Sequence, residues 1–218
     1  MPTHLLRTTL ALLLTCPLVH GVHAQARDDD ALARTAITSA EIGVPAPPLP
    51  ASHPLRPWQE YAALRRDIDT IAPAVAQAFL SRNQGQPVAT LLREAWLASL
   101  AKREDWRTFL DAWSGDVKGP ALRCHALTAR LRNGGADARW TADAQAAWQA
   151  AARPPQACDV PFEQLTARGG VSPAMRWQRI EQASADAQPA LMRAAAAGLA
   201  GSEAALARDY AAFVEAPH

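Results

Sequence analysis

His53-Pro54-Leu55-Arg56-Pro57-Trp58 opens, and Ala101-Lys102-Arg103-Glu104-Asp105-Trp106 closes, the stretch on which the fold turns. Between the two runs the apolar residues recur at helical spacing. Tyr61, Leu64, Ile68 and Ile71 mark one helix. Val75, Ala78 and Phe79 mark the next, which begins near Pro73. Val88, Leu91, Leu92 and Ala95 follow the break at Gly85-Gln86-Pro87. Beyond the closing run, Trp106, Phe109, Leu110 and Trp113 fall at i, i+3, i+4 and i+7. Glu104 and Asp105 stand where carboxylates cap a helix and favour the positive end of its dipole.

The same rhythm continues to the end of the chain. Ser114-Gly115 and Gly119-Pro120 punctuate it before a helix carrying Cys124, Leu127 and Leu131, which Asn133-Gly134-Gly135 ends. Trp140, Ala144, Ala147 and Trp148 form a further stripe, and Cys158, Phe162 and Leu165 another. Pro154-Pro155, Gly169-Gly170 and Ser172-Pro173 separate the last elements. Ala194 to Ala197, followed by Gly198 and Gly201, reads as a place of close helix approach. Leu206, Tyr210, Phe213 and Val214 form a final stripe that needs something to cover it. Helix formers dominate, and nothing reads as a strand. Helices of roughly 10–15 residues joined by short loops predict an all-α fold over 58–218, with degenerate helical hairpins stacked as a superhelix or solenoid. No exact period runs through them.

The N-terminal side is organised differently. Arg7, the apolar run Leu10 to Leu14 and the small-residue site Val22-His23-Ala24 predict a signal peptide over 1–24, with the mature chain starting at Gln25. A lipid anchor on Cys16 is the other reading, and Leu14 and Thr15 suit it poorly. Within the segment 25–57, residues 25–43 are polar, then weakly helical, with a helix expected from Asp28-Asp29-Asp30 through Ile37, and Val44 to Pro57 is rich in proline. A strap then holds Pro45, Pro47, Pro48, Pro50, Pro54 and Pro57 and has to be extended. No later segment is apolar enough to cross a membrane. An exported chain is expected, periplasmic in a Gram-negative source. Its 22 basic and 21 acidic residues lack the excess that nucleic-acid binding requires.

Behind that leader two cysteines remain, Cys124 and Cys158. An even count in an oxidising compartment suggests a disulfide. Two free buried thiols, or a metal site with His125 and Asp159, stay open, though neighbouring residues on a helix point to different faces and suit a tetrahedral metal badly. No metal and no cofactor is expected.

His53-Pro54-Leu55-x-Pro57-x-x-x-Tyr61 resembles the opening of the helical domain of soluble lytic murein transglycosylases. Lys102-Arg103-Glu104-Asp105-Trp106 is similar to that family's second marker, where a helical hairpin turns. Cys124 and the later Ala157-Cys158-Asp159 look like its cysteine pair, and Ser172-Pro173 through Trp177, Arg179 and Ile180 like its next helix. The resemblance covers roughly residues 30–214. It implies a superhelix that surrounds glycan strands, with peptidoglycan and a catalytic lysozyme-like domain as partners. Members cleave the bond between N-acetylmuramic acid and N-acetylglucosamine and leave a 1,6-anhydro end. The Glu-Ser, Gly-Leu-Met-Gln and Ala-Tyr-Asn strings that carry this chemistry do not occur here. The resemblance thus implies a fold and a setting without a catalytic residue.

Candidate sites follow from residue chemistry. A glycosidase needs flanking carboxyls, one with a raised pKa. Glu60, Asp67, Asp69, Glu104, Asp105, Glu163 and Glu181 are available, but caps and solvated helix faces account for them. Trp106 and Trp113 share a stripe with Phe109 and Leu110, which marks them as core. Trp58 and Trp177 are the aromatics expected against glycan, with Arg65 and Arg66 opposite its carboxylates. Arg123, Arg130 and Arg132 could meet the same carboxylates, and for all five arginines a solvent-exposed helix face is the other reading. Three functions remain: a scaffold that positions glycan, an envelope protein-interaction module, and an independent enzyme for which nothing prepares a carboxyl.

Overall fold

In a computed structural model the chain is described over residues 18–150 and 153–216. The n-region and apolar run of the expected leader, and Cys16, lie outside the described residues. The described chain is helical, and its contacts divide it into two compact units, 1–66 and 67–218.

The first unit pairs α1 (Leu18–Ile42) with α2 (Arg56–Arg66). Helix α1 crosses the expected cleavage site after Ala24 and runs five residues past Ile37. Gly43 ends it at φ 76°, with the Val44 N–H donating to the Ser39 carbonyl at 2.9 Å. Ala33, Ala36 and Leu49 are buried together, with Leu55 against them. The proline strap is therefore tacked down rather than loose. Gln59 accepts from the Leu49 N–H at 2.8 Å, and Arg56 donates to the Leu49 carbonyl at 2.6 Å. These bonds satisfy backbone groups that proline-rich chain cannot pair with itself.

The second unit is a run of short helices: α3 (Pro73–Arg82), α4 (Pro87–Lys102), α5 (Trp106–Ala112), α6 (Pro120–Arg132) and α7 (Ala138–Gln149). After a 3₁₀ turn (Gln156–Cys158) come α8 (Asp159–Ala167), α9 (Pro173–Ala185), α10 (Pro189–Ala196) and α11 (Gly201–Glu215). Proline stands at the start of α3, α4, α6, α9 and α10, where the missing N–H has no helical partner to lose. Asp105, Asp137 and Ser172 cap α5, α7 and α9, accepting from the N–H groups of Thr108, Trp140 and Met175. Each helix packs chiefly on its neighbours in chain order, and α9 returns to α7. That is the stacked-hairpin pattern of a solenoid. Among the described residues the only extended pairing is one isolated bridge, Ala197 with Leu199.

Three groups of side chains fill this stack. Phe79 on α3 and Leu92, Trp96, Leu97 and Leu100 on α4 are fully buried. Cys124, Leu127, Trp140, Trp148, Phe162 and Leu165 pack around α6 to α8. Ile180, Ala183, Met192, Ala195, Ala207 and Ala211 pack around α9 to α11.

Several expected stripes are turned relative to their reading. Val75 and Ala78 face outward, and Ala76, Phe79 and Leu80 face in. Leu91 is exposed beside buried Leu92. On α11 the contact face is Ala207 and Ala211, while Leu206 and Phe213 are 60% and 62% exposed. On α3 and α11 an alanine, Ala76 or Ala207, is buried where the bulkier neighbour, Val75 or Leu206, is exposed. Trp106 and Trp113 are half-buried, contrary to their reading as core. Helix α5 is only seven residues long, so Phe109 and Ala112 take its buried face. Trp113 has already left the helix, at ψ 140°, and stacks on Phe109 with centroids 5.8 Å apart.

Candidate functional site

Cys124 on α6 and Cys158 at the end of the 3₁₀ turn are joined in a disulfide, with a Cα–Cα distance of 4.8 Å. Both are 2% exposed. This sets aside the free-thiol and metal readings of Cys124, His125, Cys158 and Asp159. Cys158 precedes α8 rather than riding on it, which frees the sulfur to reach α6.

The disulfide forms part of the floor of an apolar cleft of about 390 Å³ between α6, α7 and the Pro154-Pro155 loop. Trp113, Val117, Leu127, Ala146 and Ala147 line it, and Arg123 and Arg130 stand along it. Arg130 is fixed by two carboxylates, Asp143 at 2.6 Å and Asp137 at 3.2 Å. The Asp137 carboxyl is held below its ordinary value, first by the Trp140 N–H that it caps and then by Arg130. Arg123 donates through Nε to the Val117 carbonyl at 3.4 Å.

A second, polar cleft of about 420 Å³ lies between the α3–α4 corner and the segment 114–117. Gln84, Gln86, Thr90, Arg93, Ser114 and Asp116 line it. The turn that separates the clefts is closed by the Val117 N–H donating to the Ser114 carbonyl at 3.1 Å. Trp113 and Gly115 face the apolar cleft, Ser114 and Asp116 the polar one, and Val117 touches both. The Ser114 hydroxyl is the main influence lowering the Asp116 pKa, and Arg93, 3.8 Å away, adds to it. Sequence reading passed over this pair of clefts, treating Ser114-Gly115 and Gly85-Gln86-Pro87 as punctuation only. The available signal was slight: Gln84 and Gln86 flank Gly85 at one break, and Ser114 precedes Gly115 at the other.

The four residues expected against glycan are not gathered by either unit. Trp58 is half-buried on α2, edge-on to Tyr61 at 6.1 Å. Arg65 is exposed at the end of that helix, and Arg66 donates to the Ala40 carbonyl at 2.9 Å. Trp177, on α9 of the second unit, is half-buried and donates to Glu203 at 3.3 Å. Of the carboxylates considered, Asp105 caps α5, Glu60 pairs with Arg56 at 3.1 Å, and Asp69 with Lys102 at 3.8 Å. Among the described residues no three His, Cys, Asp or Glu side chains converge as metal ligands would, and no helix is long and apolar enough to cross a membrane.

Helix α9 carries two arginines one turn apart that are 6% and 7% exposed, Arg176 and Arg179. Arg176 donates to the carbonyls of Ala195 and Ala197, under Gly198. Arg179 donates to the Trp148 carbonyl and stacks 3.7 Å over the Trp148 ring. Burial lowers the pKa of both, that of Arg179 to about 10. Both act as structural clamps on neighbouring helix ends.

The sequence is 30% identical over 132 residues to the soluble lytic murein transglycosylase of Salmonella typhimurium, and equally to that of Escherichia coli K12. The chain is similar in sequence to the soluble lytic murein transglycosylases. The match takes in 60% of this chain and 20% of each transglycosylase, so the chain spans about a fifth of the curated relatives' length. The fold agrees. The 70-kDa soluble lytic transglycosylase of Escherichia coli superposes with a TM-score of 0.72 at 21% identity, over 89% of this chain and 32% of that one. An inactive mutant of the Pseudomonas aeruginosa lytic transglycosylase gives 0.66 at 23% identity, over 85% of this chain and 31% of that one. No protein-family profile matches the chain. The all-α stacked-hairpin architecture read from the sequence is thus the one observed in both the chain and these transglycosylases.

Proposed function

We propose that this chain is an exported, non-catalytic scaffold in peptidoglycan turnover. It holds glycan strands in the periplasm for cleavage, with 1,6-anhydro product formation, by a lysozyme-like catalytic domain carried outside residues 1–218. The observation that supports this most is the relationship to soluble lytic murein transglycosylases over 132 residues, with the same helical fold over 89% of the chain. A stack of helical hairpins suits the role, because it offers a long surface on rigid elements. Trp58 and Trp177 would stack on sugar rings, and Arg65 and Arg66 would meet carboxylates, each from its own unit.

A second reading is an envelope protein-interaction module. Leu206 and Phe213, two turns apart on one face of α11 and both largely exposed, favour it.

Co-sedimentation of the purified protein with isolated sacculi, with the supernatant read by mass spectrometry, separates the readings. Binding without release of muropeptides supports the scaffold. Failure to pellet moves the assignment to the interaction module. Released 1,6-anhydro-muropeptides would show a catalytic site in this chain and overturn the non-catalytic reading.

A further inference from the structure

None of the residues proposed to meet glycan lines the apolar cleft between α6, α7 and the Pro154-Pro155 loop. Its lining decides what class of molecule it can hold. Trp113, Val117, Leu127 and Pro155 present carbon, and the Cys124–Cys158 disulfide adds two sulfurs to the floor. A polar ligand seated there would give up hydrogen bonds to water and find few replacements. A molecule that fits is therefore apolar over most of its surface. Ala146, Ala147 and Ala150 keep the α7 wall low over one helical turn, which suits an unbranched chain lying along the helix. At about 390 Å³ the cleft is near the lower end of the range of about 300–1,000 Å³ that small-molecule sites occupy.

Charge at the cleft selects the head group. Among the described residues the charged side chains that line it are Arg123, Arg130 and Asp143. Arg130 is matched by Asp143 and by Asp137, so that group has no charge left to offer. Arg123 differs. Its Nε donates to the carbonyl of Val117, itself a cleft residue, which orients the guanidinium. Its two terminal nitrogens have no partner among the described residues, and the residue is exposed, so its head meets water at the rim. A carboxylate takes such a guanidinium through two parallel hydrogen bonds. A cationic head finds no uncommitted acid among the lining side chains.

We infer that this cleft binds a single-chain aliphatic carboxylate, with its hydrocarbon against Ala146, Ala147 and the disulfide and its carboxylate on Arg123. The inference does not rest on the peptidoglycan reading, and pelleting with sacculi neither supports nor overturns it. It carries its own reporter. Thiol–disulfide exchange needs a thiolate to reach a sulfur, and an occupant of the cleft covers Cys124 and Cys158 from that side.

The test uses the full chain and straight-chain carboxylates from hexanoate to dodecanoate, each below its micelle concentration, with affinities measured by calorimetry. The expected result is saturable one-to-one binding that tightens about fourfold for each added methylene and levels off once the cleft is full. Alkyltrimethylammonium ions of the same chain lengths should bind at least about tenfold more weakly. Arg123→Gln should weaken the carboxylates about tenfold and leave the ammonium ions unchanged. Ala146→Phe, at an exposed position on α7, should fill the cleft and abolish binding of both. Saturating decanoate should also slow reduction of Cys124–Cys158, read by thiol labelling. Circular dichroism checks that each variant folds; if one does not, the chain-length series and the head-group comparison on the wild-type chain still decide. Equal affinity for carboxylates and ammonium ions would remove Arg123 from the site and overturn the inference. A peptide ending in a free apolar residue that binds more tightly than decanoate would overturn it in favour of protein C-termini. No saturable binding, or binding indifferent to both substitutions, overturns the site altogether.

Discussion

The Arg179 guanidinium lies over the Trp148 ring, 3.7 Å from its centroid, while donating to that residue's own carbonyl. It joins α9 to the last turn of α7. Phe162 closes the other side at 5.1 Å. Burial disfavours the cation and lowers its pKa to about 10, and the stacking and the charged hydrogen bond offset that cost.

Replacing Arg179 by alanine should therefore cost about 3 kcal/mol, from the lost stacking, the lost charged hydrogen bond and the space left behind. Arg179→Met keeps the volume and removes the desolvated charge, so its cost should be about 1 kcal/mol. Urea unfolding of both variants checks the order. Equal losses would show that volume alone matters at this position.

Reduction of Cys124–Cys158, or Cys124→Ala with Cys158→Ala, should lower stability by about 3–4 kcal/mol, the range for a loop with a sequence separation of 34. Because both cysteines are 2% exposed, reductant alone should act slowly and become fast in denaturant. Thiol labelling followed by mass spectrometry reads both rates.

Gly198→Ala should cost about 2–3 kcal/mol. Its φ is 96°, and an added Cβ would stand 2.8 Å from the Arg176 guanidinium that already fills the space. Gly85→Ala has a similar φ of 79° but open surroundings, and should cost about 1 kcal/mol. The difference between the two in thermal unfolding isolates the contact with Arg176 from the backbone effect.

His125 is half-buried, its ring tilted 32° against Trp106 at 6.2 Å, and desolvation lowers its pKa below 6.5. The unfolded chain then binds more protons than the folded one from pH 6.5 down to the folded value. Stability rises with pH through that window and falls on acidification. Asp116 and Asp137 have lowered carboxyl pKa values, so their stabilisation is lost only as pH falls from the ordinary carboxylate range of 3.8 through the lower folded values. His125→Gln should flatten the stability profile just below pH 6.5 and leave the more acid limb unchanged. Urea midpoints at closely spaced pH values measure it.

The sequence was most informative where chain chemistry acts locally. Pro73, Pro87, Pro120 and Pro173 announce helix starts because proline fits only there, and Asp105 announces its own cap. The Cys124–Cys158 pairing was legible because only two cysteines lie behind the expected leader, which leaves few alternatives. What was not legible was which side of each helix faces in. Leu206 and Ala207 are equally compatible with an apolar stripe, and only the distance between α10 and α11 decides for alanine. Arg176 gave no sign of burial, since an arginine on a helix usually reads as a solvated face. The clefts around Val117 were hard to see for another reason: the polar one joins residues 84–93 to 114–117, the apolar one joins 113–117 to residues of 120–158, and no local pattern records either meeting.

The turn Ser114 to Val117 has a consequence for how the chain can vary. Surface loops commonly absorb a residue gained or lost without harm. Here neighbouring residues look into different clefts, so a single insertion or deletion would trade their linings, sending Asp116 toward apolar walls and Trp113 toward the amides. Drift in length is closed to this short segment, while substitution at each position stays open. Homologous chains that share the clefts should therefore be gapless from 113 to 117, however much their residues differ.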